Sequence, residues 1–277
     1  MFEQVNQRIL LVLPPFVQLN TVYPATTYLN GFLKARGFES HQFDLSIEVI
    51  LSLFSSAGLT RLFQRIEFLE QPLSDNSQRI FNLKEVYVET IDAVISFLQN
   101  ENPTLAHRIA SRHYLPEAAR FAQTDDLDWA FGTMGIHDKA RHLATLYLED
   151  ISDLIVDTVD PHFGVSRYAE KIAMAASSFD LLDEALQKPA TFIDELMLEL
   201  FEQKINEQDP TIVGFTVPFP GNLYSALRCG QWLKQQHPHI RRVMGGGYPN
   251  TELRSLSDSR VFEYTDFIVL DDGERPL

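Results

Sequence analysis

Cysteine is almost absent from this chain, whose 277 residues include a single one, Cys229. One thiol cannot build a disulfide framework within the chain, and it cannot supply a cysteine-based metal cluster. Cys229 lies in ALRCGQWLK, a segment with helical periodicity, and free cysteine is commonly buried. We therefore predict that Cys229 is a packing residue on a helix.

Long hydrophobic runs are also missing, because no stretch of 18 consecutive apolar residues occurs. A membrane-spanning helix needs about 20 such residues, so none is predicted. The first apolar run, Ile9 to Leu13, is too short for a secretory signal, and no small-residue cleavage site follows it. We therefore expect a cytoplasmic protein.

Positive charge is scarce: 23 Lys and Arg stand against 38 Asp and Glu, which gives a net charge of −15. Residues 46–208 hold 27 of the acidic and 13 of the basic residues, so the excess belongs to the middle of the chain. This charge repels a phosphate backbone and disfavours nucleic-acid binding. A solvated helical surface explains it most simply, and the alternative is a docking face for a basic protein or peptide.

The two flanks of this acidic segment alternate between strand and helix patterns. Arg8–Leu13 is a short apolar run that ends at two prolines, a pattern typical of a buried parallel strand. The further strands are predicted at 38–44, 211–217, 241–244 and 266–270, and the helices at 25–36, 223–236 and 249–256. Strand, helix and strand in this order form βαβ units, whose crossovers are right-handed.

The flanks together predict an α/β fold with a five-stranded, doubly wound parallel sheet of the Rossmann or flavodoxin-like type. The expected strand order is 2-1-3-4-5. We assign residues 1–45 and 209–277 to this α/β domain. Residues 46–208 are assigned to an acidic helical insertion.

Within the insertion the apolar periodicity is helical, and strand patterns are few. The candidate helices are Ile47–Ser55, Thr60–Glu70, Ser77–Gln99, Leu105–Arg112, Ile136–Val159, Ser166–Ser177 and Phe192–Glu207. Gly and Pro lie between them, where helices end. The last candidate carries an apolar stripe that suits packing on a sheet.

Ligands of open α/β sheets bind beyond the carboxyl ends of the strands, which selects three loops here. Pro15 stiffens the first loop, 14–24, and Pro218 stiffens the second, 217–222. In the third loop, 245–250, three successive glycines allow a ligand to approach the backbone. Asn222 is expected to cap the helix after the second loop. Each loop can be a plain turn, but three at one edge favour a site.

Several common ligand motifs are absent. No G-x-G-x-x-G follows the first strand, so a conventional nicotinamide site is disfavoured, and Asp44 at the end of the second strand is better explained as a strand-end cap. Pro14 stands where a receiver domain needs an aspartate, which disfavours phosphotransfer. The chain also lacks a P-loop and a G-x-S-x-G elbow.

Four segments occur in a familiar order: VLPP at 12–15, VGFTVPFP at 213–220, VMGGGYPN at 243–250 and DFIVLDDGERPL at 266–277. They resemble the N-terminal cobalamin-binding domain of the cobalamin-dependent radical S-adenosylmethionine (SAM) enzyme family. The resemblance covers the two flanks and leaves the insertion out. Its final motif departs from the family's usual G-E-G-E, because this chain has Asp271-Asp272-Gly273-Glu274.

The resemblance implies a set of cobalamin-binding residues at the carboxyl edge of the sheet. Thr216, Val217 and Pro218 would face the corrin ring or its nucleotide tail. Gly245, Gly246 and Gly247 would leave room for the tail, and Tyr248 would pack on it. The loop of Thr21, Val22 and Tyr23 would approach cobalt. No histidine lies between Phe16 and Pro24, so cobalamin is expected without a protein histidine ligand.

The resemblance also implies a radical SAM enzyme as the parent protein. Its C-x-x-x-C-x-x-C motif, which holds a 4Fe-4S cluster, is absent here, so the cluster and S-adenosylmethionine are expected in a downstream domain after Leu277. This fragment alone would then bind a cofactor without catalysing a reaction. Two alternatives stay open: a degenerate module that serves as a recognition or assembly scaffold without cobalamin, and the nucleotide-sugar-binding half of a glycosyltransferase.

Overall fold

The computed structural model of the protein describes residues 7–19, 21–123, 135–165 and 179–274. The chain divides into two compact units, which we name from their contents. The sheet unit comprises Met1–Val49 and Gly164–Leu277, and the helical unit comprises Ile50–Phe163. The predicted helix Ser166–Ser177 and the chain end at Leu277 lie outside the described residues.

The sheet unit is built on five strands that are all parallel. The strands are β1 (Arg8–Leu13), β2 (Glu39–Asp44), β3 (Ile212–Thr216), β4 (Arg241–Gly245) and β5 (Phe267–Ile268). Their spatial order is β2-β1-β3-β4-β5, which confirms the predicted α/β fold and strand order. The chain order reverses direction between β1 and β3, and this is the switch point of the sheet.

The described α-helices have the following bounds. They are α1 (Ala25–Ala35), α2 (Leu45–Leu53), α3 (Ser56–Leu69), α4 (Asp75–Asn82), α5 (Lys84–Leu98), α6 (Ala106–Ala110), α7 (Ile136–Thr158), α8 (Asp180–Gln187), α9 (Phe192–Gln208), α10 (Leu223–Gln236) and α11 (Gly247–Thr251). Short 3-10 turns occur at 103–105, 119–123, 220–222 and 259–263.

The burial of each strand follows its place in the sheet. Five of the six residues of central β1 are buried, whereas edge strand β2 alternates between exposed and more buried positions. A central strand is covered on both faces by crossover helices, so it needs a continuous apolar run. The predicted packing role of Cys229 on α10 is confirmed, because this free thiol is fully buried.

The helical unit is shorter than the predicted insertion, because α8 and α9 belong to the sheet unit. Phe201 of α9 lies 5.9 Å from Phe215 of β3, between ring centroids, so the apolar stripe of α9 packs on the sheet. A helix with such a stripe needs another element to cover it. The sequence patterns missed α8, and the predicted helix Ser77–Gln99 is divided at Leu83 into α4 and α5.

A buried charged network joins α8, α9 and α10 in the sheet unit. Asp194 of α9 has no exposed surface, and the Arg228 Nε atom lies 3.2 Å from its carboxylate. Tyr224 donates a hydrogen bond of 2.8 Å to the same carboxylate. Arg228 also donates to the carbonyl oxygens of Ala185 and Leu186 at the end of α8. The network satisfies the buried charge and fixes three helices together.

The core of the helical unit includes a stacked tyrosine pair. The rings of Tyr87 on α5 and Tyr147 on α7 lie 5.1 Å apart and nearly parallel. The Tyr147 hydroxyl donates to the Tyr87 carbonyl oxygen and lies 3.0 Å from the Thr90 hydroxyl. Nearby on α7, the buried Asp150 carboxylate accepts hydrogen bonds from the backbone N–H groups of Ala118 and Arg120.

Across the described residues, no single helix combines the length and apolar character that crossing a membrane requires. The bent pair formed by α2 and α3 passes the same test by length and composition alone. The cytoplasmic location inferred from the sequence stays a prediction.

Candidate functional site

A groove of about 320 Å³ lies in the sheet unit and extends to the carboxyl ends of β3 and β4. Leu11, Gly214 and Val243 lie side by side in the strand register and line its floor. The first turns of α1 form one wall, and the loop into α11 forms another. The chain after β5, at residues 271–274, closes the rim. The groove therefore lies at the edge where open α/β sheets bind ligands.

Two glycines keep the floor of the groove low. Gly214 lies inside β3, where an added Cβ would approach a terminal methyl group of Leu11 to 3.2 Å. Gly245 ends β4, and a Cβ there would meet Val269 at 3.5 Å, which is ordinary contact. Glycine inside a strand often marks the close approach of a ligand or another backbone. At Gly245 a side chain fits the fold but would project toward the groove.

Gly246 is required by the backbone rather than by the groove. Its φ is +113°, a conformation that side chains other than glycine rarely adopt. An added Cβ would lie 2.8 Å from both the N and O atoms of Val217. Val217 donates to the Gly245 carbonyl at 2.7 Å and accepts from Tyr248 at 3.0 Å. These contacts hold the loops after β3 and β4 tightly together.

The rim of the groove is acidic. Asp271, Asp272 and Glu274 line it, and no Lys, Arg or His is found among the described lining residues. Asn250 donates to the Asp271 carbonyl at 3.2 Å, and its side-chain oxygen accepts from the Asp271 N–H. Arg254 binds the Asp271 carboxylate at 2.8 Å from outside the groove. The rim is thus a fixed loop with two further carboxylates beside a largely apolar floor.

Two hydroxyl groups on α1 face the same groove. A hydrogen bond to the Glu274 carboxylate, together with its negative charge, raises the pKa of Tyr28. Thr26, two residues earlier on α1, lines the same groove with 7% of its surface exposed. Its hydroxyl has no hydrogen-bond partner in the part of the chain that the structure describes. The wall therefore offers an unpaired hydroxyl to a bound molecule.

Comparisons with protein-family models, with curated proteins and with solved structures found no match for this chain. Among the described residues, no three His, Cys, Asp or Glu side chains are grouped so that they could hold a metal ion. The lining residues can bind and orient a flat, largely apolar molecule that carries hydroxyl or amino groups at one end. The described lining residues include no Ser, Cys, Lys or His.

Four of the residues proposed from the sequence line the groove: Thr216, Gly245, Gly246 and Gly247. Val217 and Tyr248 are buried behind it and hold the loops in place. Pro218 is half-buried beside Gly247, whose added Cβ would lie 3.2 Å from the Pro218 carbonyl. The structure thus brings the glycine motif and the end of β3 together, as the loop argument predicts.

The expected capping role of Asn222 is wrong. Its φ and ψ, −94° and −15°, are already helical, and its side chain makes no capping hydrogen bond. An N-cap residue needs an extended backbone so that its side chain can turn back to the first N–H groups. Instead, the fully buried Asn222 side chain donates to the Pro14 carbonyl at 2.7 Å. It ties the loop after β3 to the loop after β1.

The loop of Thr21, Val22 and Tyr23 lines a separate depression of about 580 Å³ near the ends of β1 and β2. Thr26 lines both cavities, which are therefore adjacent. The Tyr23 ring packs edge-on against Phe219, with centroids 5.6 Å apart. Pro15 is buried at the start of this loop. The sequence argument placed the first loop and the glycines in one site, and the structure separates them into neighbouring cavities.

Several lining residues were not among the predicted site residues. Gly214 could have been found, since a glycine interrupts an otherwise apolar strand. Asp271, Asp272 and Glu274 lie in a segment that carried the family resemblance, but nothing in their spacing places them over β3 and β4. Tyr28 lies in the helix predicted at 25–36, but nothing in the sequence indicated that it would line a site.

Proposed function

We propose that the sheet unit binds cobalamin, with the base and sugar of its nucleotide tail in the groove. One observation carries this proposal: Gly214 and Gly245 lower the floor of the groove over β3 and β4. A flat base can then lie closer to β3 and β4 than it could if these two positions carried side chains. The resemblance of the four sequence segments to cobalamin-binding domains selects this ligand among flat, apolar molecules.

The size of the groove supports a tail rather than a whole corrinoid. Its 320 Å³ is at the lower end of the range of about 300–1,000 Å³ for small-molecule sites. A base with its sugar fits this space, whereas the corrin ring would lie outside, at the carboxyl edge. Val22 and Phe219, with 86% and 49% of their surfaces exposed, offer apolar surface at that edge. The residues present therefore fit this group.

The chain's own part in such a complex is to bind and orient the cofactor. Bound cobalamin supplies cobalt chemistry, which no amino-acid side chain can provide. The segment from Phe16 to Pro24 contains no histidine, so it offers no imidazole to cobalt. The buried Asn222 hydrogen bond to Pro14 fixes the relative position of the two loops nearest the edge.

We further propose that the module serves a radical SAM enzyme, whose 4Fe-4S cluster and S-adenosylmethionine bind to another domain. The sequence resemblance supports this part, and the groove geometry is independent of it. The nucleotide-sugar alternative is disfavoured by the acidic rim, because a diphosphate needs donors or cations and the described lining residues include no cation. The remaining alternative is a scaffold that binds no cobalamin, and binding measurements test it.

The first experiment compares cobalamin with cobinamide, which lacks the nucleotide tail. The purified chain is titrated with each corrinoid, desalted and examined by its visible spectrum. Because the tail would bury a base-sized apolar surface, we expect cobalamin to bind at least about tenfold more tightly than cobinamide. Equal affinities would show that the groove does not hold the tail, and no retention of either would favour the scaffold.

Gly245→Leu is the matching variant, since a Cβ at this position fits the fold while a longer side chain fills the groove. Gly246 is unsuitable because a side chain there collides with the Val217 backbone. The control is Gly31→Leu, at an exposed position of α1 where an added Cβ meets nothing within 4 Å. We expect Gly245→Leu to bind cobalamin no more tightly than cobinamide, and Gly31→Leu to keep the higher affinity for cobalamin. An equal loss of affinity for cobalamin in both variants would contradict the placement of the nucleotide tail in the groove.

A further inference from the structure

We infer that the acidic rim makes the groove select a nucleoside with free sugar hydroxyls and reject one that carries a 5′-phosphate. This inference rests on the proposed function, because it concerns how the same groove chooses the end of its ligand. It names the rim loop, Asp271–Glu274, and the α1 hydroxyls as the specificity-determining groups. The groove would then discriminate against ordinary nucleotides by charge.

The rim loop has a defined structure. The backbone of Asp271 is held on both sides by Asn250, through its N–H and its carbonyl oxygen. Its carboxylate is held by Arg254 at 2.8 Å. Gly273 lies against Leu29 of α1, where an added Cβ would come within 3.2 Å of a methyl group. A loop held at both ends keeps its carboxylates in place without the ligand.

The charges on this loop are compensated in different ways. Asp271 has a guanidinium partner that lies outside the groove. Glu274 accepts a hydrogen bond from the neutral Tyr28 hydroxyl, which leaves its negative charge in place. Asp272 also lines the rim. Because no cation is found among the described lining residues, the rim keeps a negative potential at the mouth of the groove.

A second observation points to a hydroxyl-bearing ligand. The Thr26 hydroxyl is on a side chain with only 7% of its surface exposed and has no partner among the described residues. An unpaired hydroxyl that lines a groove can take a ligand group as its hydrogen-bond partner, so a ligand that carries hydroxyl groups would be stabilised there. Carboxylates accept hydrogen bonds from sugar hydroxyls, and these charge-assisted bonds are stronger than neutral ones. The same carboxylates repel a phosphate dianion.

The nucleoside of cobalamin has the required chemistry. Its sugar carries free hydroxyls, including the one at the 5′ position, and its phosphate is a diester to the corrin ring, which keeps one negative charge where a 5′-phosphate monoester carries nearly two. A 5′-phosphate would add a dianion to the sugar beside Asp272 and Glu274. We expect this to weaken binding by about tenfold or more at low ionic strength, and the penalty to shrink as salt screens the charges.

The test uses two probes, dimethylbenzimidazole riboside and its 5′-phosphate, with binding to the whole chain followed by ligand-observed NMR. The riboside should bind at least about tenfold more tightly than its 5′-phosphate. Asp272→Asn combined with Glu274→Gln should reduce this ratio to about threefold or less. The matched control, Glu39→Gln with Glu202→Gln, removes two exposed carboxylates of the same unit away from the groove and should keep the ratio.

The outcomes separate the two proposals. Equal binding of both probes to the unaltered protein would overturn the charge selection and leave the nucleoside groove in place. An unchanged ratio in the double variant would overturn the assignment of that selection to Asp272 and Glu274. No binding of either probe would overturn the proposed function itself, and the selection with it.

Discussion

The sheet unit and the helical unit both bury an aspartate on a helix, but they compensate its charge in different ways. In the sheet unit, Asp194 lies against the Arg228 guanidinium and accepts from the Tyr224 hydroxyl. In the helical unit, Asp150 accepts from two backbone N–H groups, and burial raises its pKa above that of an exposed aspartate. The first solution uses opposite charge, and the second uses backbone dipoles.

This difference relates to what each unit has to hold in place. The Asp194 network fixes α8, α9 and α10 against one another beside a sheet whose edge carries the groove. The helical unit instead fills its core with stacked rings and leaves one buried hydroxyl, on Tyr87, without a partner among the described residues. Unpaired buried polar atoms occur in the sheet unit as well, since the Tyr23 hydroxyl, the Asn222 side-chain oxygen and the Ser225 hydroxyl have no partner among the described residues. The comparison therefore teaches that the two units differ in how they compensate a buried charge, and four measurements test this.

The largest effect is expected for Arg228→Met in the sheet unit. The change leaves the Asp194 carboxylate buried without its cation, which typically lowers the free energy of unfolding by about 3–5 kcal/mol. Chemical denaturation measures this loss. Lys234→Met, on the exposed side of the same helix, is the matched control and should change stability by less than about 0.5 kcal/mol. Similar losses of unfolding free energy in both variants would show that the buried network contributes no more to stability than an exposed side chain does.

The next largest effect is expected at the sheet edge. Gly246→Ala forces a side chain into a backbone with φ of +113° and against the Val217 backbone, and should lower stability by about 2–3 kcal/mol. Gly245→Ala, one residue earlier, meets only ordinary contacts and should change stability by less than about 1 kcal/mol. Thermal unfolding of the two variants measures both losses of stability. Equal losses would contradict the separate roles of the two glycines.

The tyrosine pair tests the helical unit by itself. Tyr147→Phe removes a hydroxyl that donates to the Tyr87 carbonyl and contacts Thr90, so a loss of about 1–2 kcal/mol is expected. Tyr87→Phe removes a buried hydroxyl that has no partner among the described residues, so stability should stay the same or rise. The two variants differ only in which ring loses its oxygen. A larger loss for Tyr87→Phe would reveal a partner for that hydroxyl.

The smallest effect is a dependence on pH. Burial raises the pKa of Asp150 above its ordinary 3.8, so its contribution to stability is greatest below that value. The contribution is lost as pH rises through the higher pKa of the folded state. From about pH 4 to about pH 7, the unaltered protein should therefore lose stability relative to Asp150→Asn. If the stability difference between the unaltered protein and Asp150→Asn did not change with pH, or changed in the opposite direction, the raised pKa of Asp150 would be contradicted.

The sheet was predictable because its information is local. The two central strands, β1 and β3, are short apolar runs followed by proline, and βαβ connections allow few strand orders. The observed order confirms the prediction. Element ends were less accurate, since β5 covers only Phe267–Ile268 and α11 begins at Gly247, where the patterns favoured 266–270 and 249–256. Pairing and packing decide these ends, and a sequence window does not contain them.

The site was predictable only in part. The glycine run and the end of β3 were identified because backbone conformation leaves a trace in residue type. The role of Asn222 was misjudged because its partner, the Pro14 carbonyl, is 208 residues away along the chain. Tyr28, Asn250 and the acidic rim were missed for the same reason, since each acquires its role from a contact across the groove.

The sequence by itself determined the fold class, the strand order and the edge of the sheet where a ligand can bind. These depend on hydrophobic period and on the direction of parallel strands, which are properties of short segments. Only the tertiary structure decided which residues share a cavity, because Leu11, Gly214 and Val243 become neighbours through strand pairing alone. The sequence fixes each strand's pattern, whereas the geometry of a groove depends on several strands and the loops that close over them.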